Sequence, residues 1–252
     1  MDIIDFHTHP FLTGESNFCH YRENMLIDKD VFLSDMDEAG VTVFCGSVVK
    51  SSTDFEKLRE CNREALKLRE IYGNRYQAGF HVHPDFVDES VAEIKLAAEN
   101  GVRIIGELVP YMNGWKDYSC SGFSNILDEI SKYNMVVSLH TIDLKQMEKM
   151  AEAHKNVNFV FAHPGEKSFA LEHVEVMKRL DNVYLDLSGT GLFRYGLTRF
   201  LVDSVGAERI LFGTDYPICN LQMYIGAVLG EKLSDREREL IFSGNAKRLL
   251  DL

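Results

Sequence analysis

The chain has 252 residues, 45% of them hydrophobic and 26% charged. That composition suits a globular fold with a sizeable core and excludes disordered, collagen-like and disulfide-stapled miniprotein classes. Asp and Glu number 39 against 27 Lys and Arg, a formal charge of −12, so neither nucleic acid nor an anionic membrane surface is an expected partner.

A small-molecule substrate, even an anionic one, stays open, because a bound metal or a local Arg overrides net charge. Met1–Asp5 shows no basic segment leading into an apolar run, and no stretch approaches the ~18 apolar residues of a membrane span. The expectation is a cytoplasmic protein. The five cysteines (Cys19, Cys45, Cys61, Cys120 and Cys219) are odd in number and form no CxxC pair, which reads as reduced structural thiols.

Along the chain, short apolar runs alternate with longer amphipathic segments. The runs are Ile3–Phe6, Val41–Cys45, Gln77–Phe80, Val102–Ile105, Met135–Leu139, Phe159–Ala162, Val183–Leu187 and Ile210–Gly213. Short, β-branched and nearly continuous runs are what strands buried on both faces of a parallel sheet look like. Between them, Thr53 and Glu56 have capping-box spacing, and Leu58, Cys61, Ala65 and Leu68 follow at helical intervals. Phe123, Ile126, Leu127 and Ile130 repeat the pattern, and Ser234 with Glu237 forms a second box. The five prolines (Pro10, Pro84, Pro110, Pro164 and Pro217) all fall outside the runs, where a chain leaves a sheet.

Eight strand–helix units in about 250 residues match an α/β (β/α)8 barrel of TIM type, although an open doubly wound sheet shares the rhythm. No linker-like break interrupts the chain, so residues 1–252 are expected to form a single domain. Neither GxGxxG nor GxxxxGKS/T occurs, which lowers dinucleotide and P-loop readings.

Polar residues cluster at the ends of the runs. The first leads into His7-Thr8-His9, the fourth into Glu107, the fifth into His140, the sixth into His163 and the eighth into Asp215. Two residues apart on a strand, His7 and His9 can share one ion. In a closed parallel barrel the strand ends ring a single mouth, so these residues would converge there. Each taken singly could be structural: a hydrogen-bonded core histidine, a helix cap, a salt-bridge partner. Their recurrence at equivalent strand positions favours a metal site. Imidazole nitrogens with a carboxylate suit a divalent ion, zinc foremost.

With His7-Thr8-His9, His140, Phe161-Ala162-His163-Pro164-Gly165, Ile210–Pro217 and Gly244–Leu250, the chain resembles the amidohydrolase superfamily. More narrowly, it is similar to the amidohydrolase-related group that includes aminocarboxymuconate-semialdehyde decarboxylase-like enzymes. The resemblance spans essentially the whole chain. It implies a barrel in which His7, His9, His140 and Asp215 hold a divalent metal, with His163 beside it.

Such a metal lowers the pKa of its bound water from 15.7 to about 7, and Asp215 and His163 would be the catalytic groups, Asp215 moving the proton. Glu107 stands where many binuclear members carry a bridging lysine, and resembles the arrangement of the related deoxyribonuclease-like hydrolases. With Glu107 and His163 as further ligands the metal set becomes His7, His9, Glu107, His140, His163 and Asp215, holding one ion or two.

Residues expected to contact substrate are His83 of the second HxH (His81-Val82-His83), Tyr111, and Arg22 in the long loop that also carries His20. Trp115 and Arg194 also follow strand ends. The main expectation is a metal-dependent hydrolase of an amide, lactone or related C–N or C–O bond. The alternative is a metal-dependent non-oxidative decarboxylase (carboxy-lyase) or hydratase of an unsaturated or aromatic acid. Such an enzyme needs a basic clamp for the carboxylate, and the strand-end loops are poor in Arg. A homo-oligomer is left open.

Overall fold

The structure, a computed structural model, describes residues 1–14 and 26–252. Eight parallel strands follow one another in chain order around one sheet: β1 Ile4–Thr8, β2 Val43–Ser47, β3 Tyr76–Phe80, β4 Ile104–Leu108, β5 Val136–His140, β6 Asn158–Ala162, β7 Val183–Asp186 and β8 Ile210–Leu211. The last strand returns to the first. Phe6 N–H donates to Phe212 O, Asp215 N–H to His7 O and His9 N–H to Tyr216 O, all at 2.8 Å. The sheet is therefore a (β/α)8 barrel rather than an open doubly wound sheet.

The strands run further than several of the apolar runs. β1 extends through His7 and Thr8, and β4 through Gly106 and Glu107. Hydrophobicity stops at the mouth, where the site begins, but backbone pairing carries on past it, as in Thr8 opposite Gly46 and Leu108 opposite Leu139.

Helices α1 Lys29–Ala39, α2 Phe55–Tyr72, α3 Val87–Glu99, α4 Ser121–Ile130, α5 Leu144–Ala153, α6 Lys167–Arg179, α7 Leu197–Val205 and α8 Leu221–Gly230 alternate with the strands. Their apolar stripes cover the outside of the barrel; on α2 the buried set includes Leu58, Cys61, Ala65 and Leu68, and on α4 Phe123, Ile126, Leu127 and Ile130. The α2 cap differs from the sequence reading by one residue. Asp54, not Thr53, accepts from the Glu56 N–H; a carboxylate one residue closer satisfies the same orphan amide. The Ser234–Glu237 capping box is present, opening α9 Asp235–Glu239.

The barrel interior is filled by Ile4, Phe6, Cys45, Ile104, Val136, Val160 and Leu211. Ala246, Leu249 and Leu250 of the C-terminal helix α10 (Asn245–Leu250) plug its lower end. Irregularities interrupt β1 between Asp5 and Thr8 and β4 between Ile105 and Leu108. Strict alternation would send Phe6 and His7, or Ile104 and Glu107, to opposite faces. The irregularities let an apolar filler and a polar mouth residue on the same strand both face inward.

Cys45, Cys61, Cys120 and Cys219 are free thiols; Cys19 lies outside the described residues. Among the described residues, no helix is long and apolar enough to cross a membrane.

Candidate metal centre at the barrel mouth

The polar strand ends meet above the apolar filling. Glu107 lies between two groups of histidines. Its Oε2 is 3.3 Å from His7 Nε2 and 3.5 Å from His9 Nε2. Its Oε1 is 2.9 Å from His140 Nδ1 and 3.5 Å from His163 Nε2. Two sets of ligand atoms close enough to hold an ion result, His7/His9/Glu107 and Glu107/His140/His163, sharing the one carboxylate. Asp215 Oδ1 flanks the first set, 3.3 Å from His9 Nε2 and 3.6 Å from His7 Nε2. The structure thus brings all six sequence-derived metal residues to one place, from strands or strand exits spread over most of the chain.

Local geometry aims them. His163 and Asp215 take positive φ, 70° and 67°, conformations uncommon for non-glycine residues that turn a side chain off the strand direction. Gly189, with φ +60°, lies against the His163 ring, and a Cβ there would overlap it. His9 Nδ1 is 3.0 Å from Ser47 O, so that nitrogen carries the proton and Nε2 faces the centre.

The electrostatics suit a cation. Burial by itself would depress the His7 pKa, but the Glu107 and Asp186 carboxylates outweigh it and hold the ring well above its ordinary value. His9 is opposed by burial in the same way and is raised to about 9 by Asp215 and Glu107. Glu107 is held well below the usual carboxylate range despite its burial, by His7, His140 and His163. The carboxylates stabilise positive charge at the ring nitrogens, a demand that a divalent ion meets while displacing the protons. His7 Nε2 is buried with no hydrogen-bond partner, an orphan that a metal would satisfy. The donor set fits a divalent metal.

Above the centre opens a cavity of about 810 Å³ lined by His9, Glu107, His140, His163 and Asp215 together with Phe11, Val109, Tyr111, Ile218 and Lys50. Tyr111 stands edge-on to His140, ring centroids 5.2 Å apart. Lys50 is ion-paired to Glu64 at 3.1 Å.

His83, expected to contact substrate, is not on this cavity wall. It is buried, with Nε2 2.9 Å from Asn113 O and Nδ1 accepting from the Asp85 N–H. Its partner His81 spends Nε2 on Val48 O. A strand-end HxH is diverted from ligation when backbone carbonyls already use the rings. Trp115 packs between His83, Tyr118 and Phe123, and Arg194 pairs with Glu166. Arg22 and His20 lie outside the described residues.

Sequence reasoning missed Asp186, at the end of β7. Its Oδ2 is 2.9 Å from His7 Nδ1. The signal is a carboxylate near the end of an apolar run, which reads as part of the strand. Asp5 was missed too. It is buried, is raised to about 7 by burial, and accepts from Thr214 Oγ1 and the Thr214 and His7 N–H groups. It ties β1 to the segment bearing Asp215.

A family model described as amidohydrolase matches residues 4–252. No curated protein matches the sequence. Among solved structures, the chain is similar to a 2,6-dihydroxybenzoate decarboxylase from Rhizobium, at 16% identity and TM-score 0.77, covering 100% of this chain and 99% of that one. It is also similar to an uncharacterised TIM-barrel protein from Bordetella bronchiseptica, at 20% identity and TM-score 0.79, with 100% and 99% covered. A third is a dihydroxybenzoic acid decarboxylase from Polaromonas with bound manganese and the inhibitor 2-nitroresorcinol, at 14% identity and TM-score 0.76, with 100% and 97% covered.

Proposed function

Since this chain belongs to the amidohydrolase family of enzymes, we propose that it acts, as one domain over residues 1–252, as a metal-dependent hydrolase. Its substrate would be a small molecule with an amide, lactone or related C–N or C–O bond. The observation that carries this is Glu107, whose two oxygens each face a separate pair of histidines, so that one carboxylate serves two sets of candidate ligands. Metal ions bound there would supply Lewis acidity for activating water and polarising a carbonyl.

His7 and His9 with Glu107 form one half of the ligand set, and His140 and His163 with Glu107 the other. Asp215 Oδ1 accepts the proton of the attacking water and returns it to the leaving atom. His163, at the cavity wall, would act through the ion it holds, placing that ion to polarise the substrate carbonyl. Tyr111 and the apolar residues Phe11, Val109 and Ile218 hold the rest of the molecule and exclude water. Zinc suits a histidine and carboxylate set, and manganese, which occurs in a structural neighbour, is the competing ion.

The second reading is a non-oxidative decarboxylase of an aromatic acid. The names of the structural neighbours favour it over hydrolysis. Against it stands the cavity chemistry. The cationic side chain among the described lining residues, Lys50, already faces Glu64, so the described wall offers a substrate carboxylate no dedicated clamp.

The test is to load the protein separately with zinc and manganese. Each form is assayed against amides and lactones for hydrolysis, and against dihydroxybenzoates for release of carbon dioxide. Hydrolysis without decarboxylation is the expected result, and the reverse replaces the first reading with the second. Asp215→Asn should lower turnover by roughly 10²- to 10⁴-fold, the scale of a lost general base, with metal retained. A protein that holds no metal after loading, and whose stability chelators leave unchanged, overturns both readings.

A further inference from the structure

We infer that Ser188 and Asp186 form a hydrogen-bonded bridge that sets the tautomers of His7 and His163 together, so that both present a bare Nε2 to the metal centre. This rests on the metal-centre reading above, but it concerns residues which that reading does not use.

Counting protons fixes the arrangement. Asp186 and Ser188 are fully buried, so water cannot complete their hydrogen bonds. A carboxyl group is a far stronger acid than an imidazolium, so as a carboxylate Asp186 can only accept. Its Oδ1 takes the Ser188 backbone N–H at 2.9 Å and also meets the His163 N–H at 3.5 Å. Its Oδ2 is 2.9 Å from His7 Nδ1. A carboxylate oxygen at that distance requires a proton on Nδ1, so the neutral ring, the form that binds a metal, has its lone pair at Nε2. That nitrogen is the buried one with no hydrogen-bond partner, as the assignment demands.

The Ser188 hydroxyl has one proton and three neighbours: Asp186 Oδ1 in a short contact, His163 Nδ1 at 3.0 Å and His7 Nδ1 at 3.1 Å. The carboxylate oxygen cannot donate, so the Ser188 proton goes to it. The hydroxyl oxygen then accepts from His163 Nδ1–H. His163 Nε2 is left bare, 3.5 Å from Glu107 Oε1 and 3.2 Å from His140 Nδ1. If the Ser188 proton were turned towards His163 instead, Nε2 would carry a hydrogen and could not ligate. One carboxylate thus acts on both halves of the centre, directly on His7 and through one hydroxyl on His163. Asp186 and Ser188 are positioning residues, since neither faces the cavity.

Asp186→Asn separates this from a packing role. The Ser188 backbone N–H cannot become an acceptor, so the amide oxygen stays with it. The amide NH2 is then turned to His7 Nδ1, which pushes the ring proton to Nε2. Ser188→Ala leaves His7 in place and frees His163 alone, and Ser188→Thr restores the hydroxyl. The readouts are metal affinity by titration, thermal stability of the metal-free protein, and the ¹⁵N NMR shifts of the histidine rings. The shifts are taken on metal-free protein, at a pH high enough to leave the rings neutral.

Asp186→Asn is expected to move His7 to the Nε2–H form and to weaken metal binding by roughly 10- to 100-fold. Ser188→Ala should disturb the His163 signal and weaken only one of the two ions, and Ser188→Thr should return both to wild type. Unchanged histidine tautomers in Asp186→Asn and Ser188→Ala overturn the bridge. So does metal affinity that follows only the loss of thermal stability. If the wild-type protein binds no metal, the proposed function fails, yet the tautomer measurement still decides the bridge. Should Asp186→Asn not fold, the Ser188→Ala and Ser188→Thr pair decides the bridge through His163.

Discussion

Two layers of the same barrel are equally buried and chemically opposite. The lower layer, Ile4, Phe6, Cys45, Ile104, Val136, Val160 and Leu211 with the α10 plug, is apolar. A few residues further along the same strands, the mouth carries His7, His9, Glu107, Asp186 and Asp215, each less than a tenth exposed. The lower layer contributes stability in proportion to the apolar area it removes from water. The mouth does the reverse, confining charged groups whose desolvation only mutual pairing or a cation offsets. Such a site is stable because the layer beneath it is, and the fold can carry groups that would not bury themselves.

Neighbouring residues on β1 give the sharpest way to break that comparison. His7→Ala should abolish turnover and remove the ion of the His7/His9/Glu107 set, about one per chain, while the metal-free protein stays folded. Phe6→Ala should cost about 3–5 kcal/mol, the range for a large buried aromatic, yet leave the ions bound per folded chain unchanged. Metal analysis beside denaturant unfolding checks both, and a Phe6→Ala protein that folds but has lost its metal would mean that the layers are not separable. Glu107→Ala removes the carboxylate common to both sets and should lower the metal content by at least one ion per chain. A wild-type content of one ion would mean a single-ion site.

A smaller effect comes from outside the mouth. His173 of α6 is buried, donates Nδ1–H to Phe169 O at 3.0 Å, and is pushed down by burial to about 4. Its folded pKa lies below the unfolded value near 6.5, so the unfolded chain binds the extra proton between those limits. The contribution is complete above about pH 6.5, falls as pH drops towards 4, and is constant below. A fall from 6.5 to about 4 corresponds to roughly 3 kcal/mol. His173→Gln should flatten the stability profile by about that much over this window, measured by urea unfolding with metal removed. The least change is expected for Ser234→Ala, about 1 kcal/mol from the lost cap, with metal content unaffected.

The barrel was legible because buried parallel strands leave near-continuous apolar runs and their helices leave a 3.6-residue stripe, both local patterns. The strand-end residues His7, His9, Glu107, His140, His163 and Asp215 were legible as a group, since a closed parallel barrel sends all strand ends to one mouth. His83 shows where that logic stops. It has the same HxH spacing as His9, but its ring is used by Asn113 O and the Asp85 N–H, partners 30 and 2 residues away in sequence, the first of them invisible to spacing. Asp186 fails in the other direction, inconspicuous in an apolar strand until the barrel closes and brings His7 alongside it.

By itself, then, the amino-acid order determined the alternation of strands and helices, and which residue types stand at the strand ends. Those follow from periodicity and polarity within windows of a few residues. Tertiary structure alone decided which side chains share a proton or a carboxylate. The irregularities that turn His7 and Glu107 inward, the two-sided reach of Glu107, and the Ser188 bridge all depend on contacts between strands far apart in sequence. Whether distant backbone groups already use a ring's nitrogens, as they do for His83, separates a ligand from a structural histidine, and no local pattern encodes that.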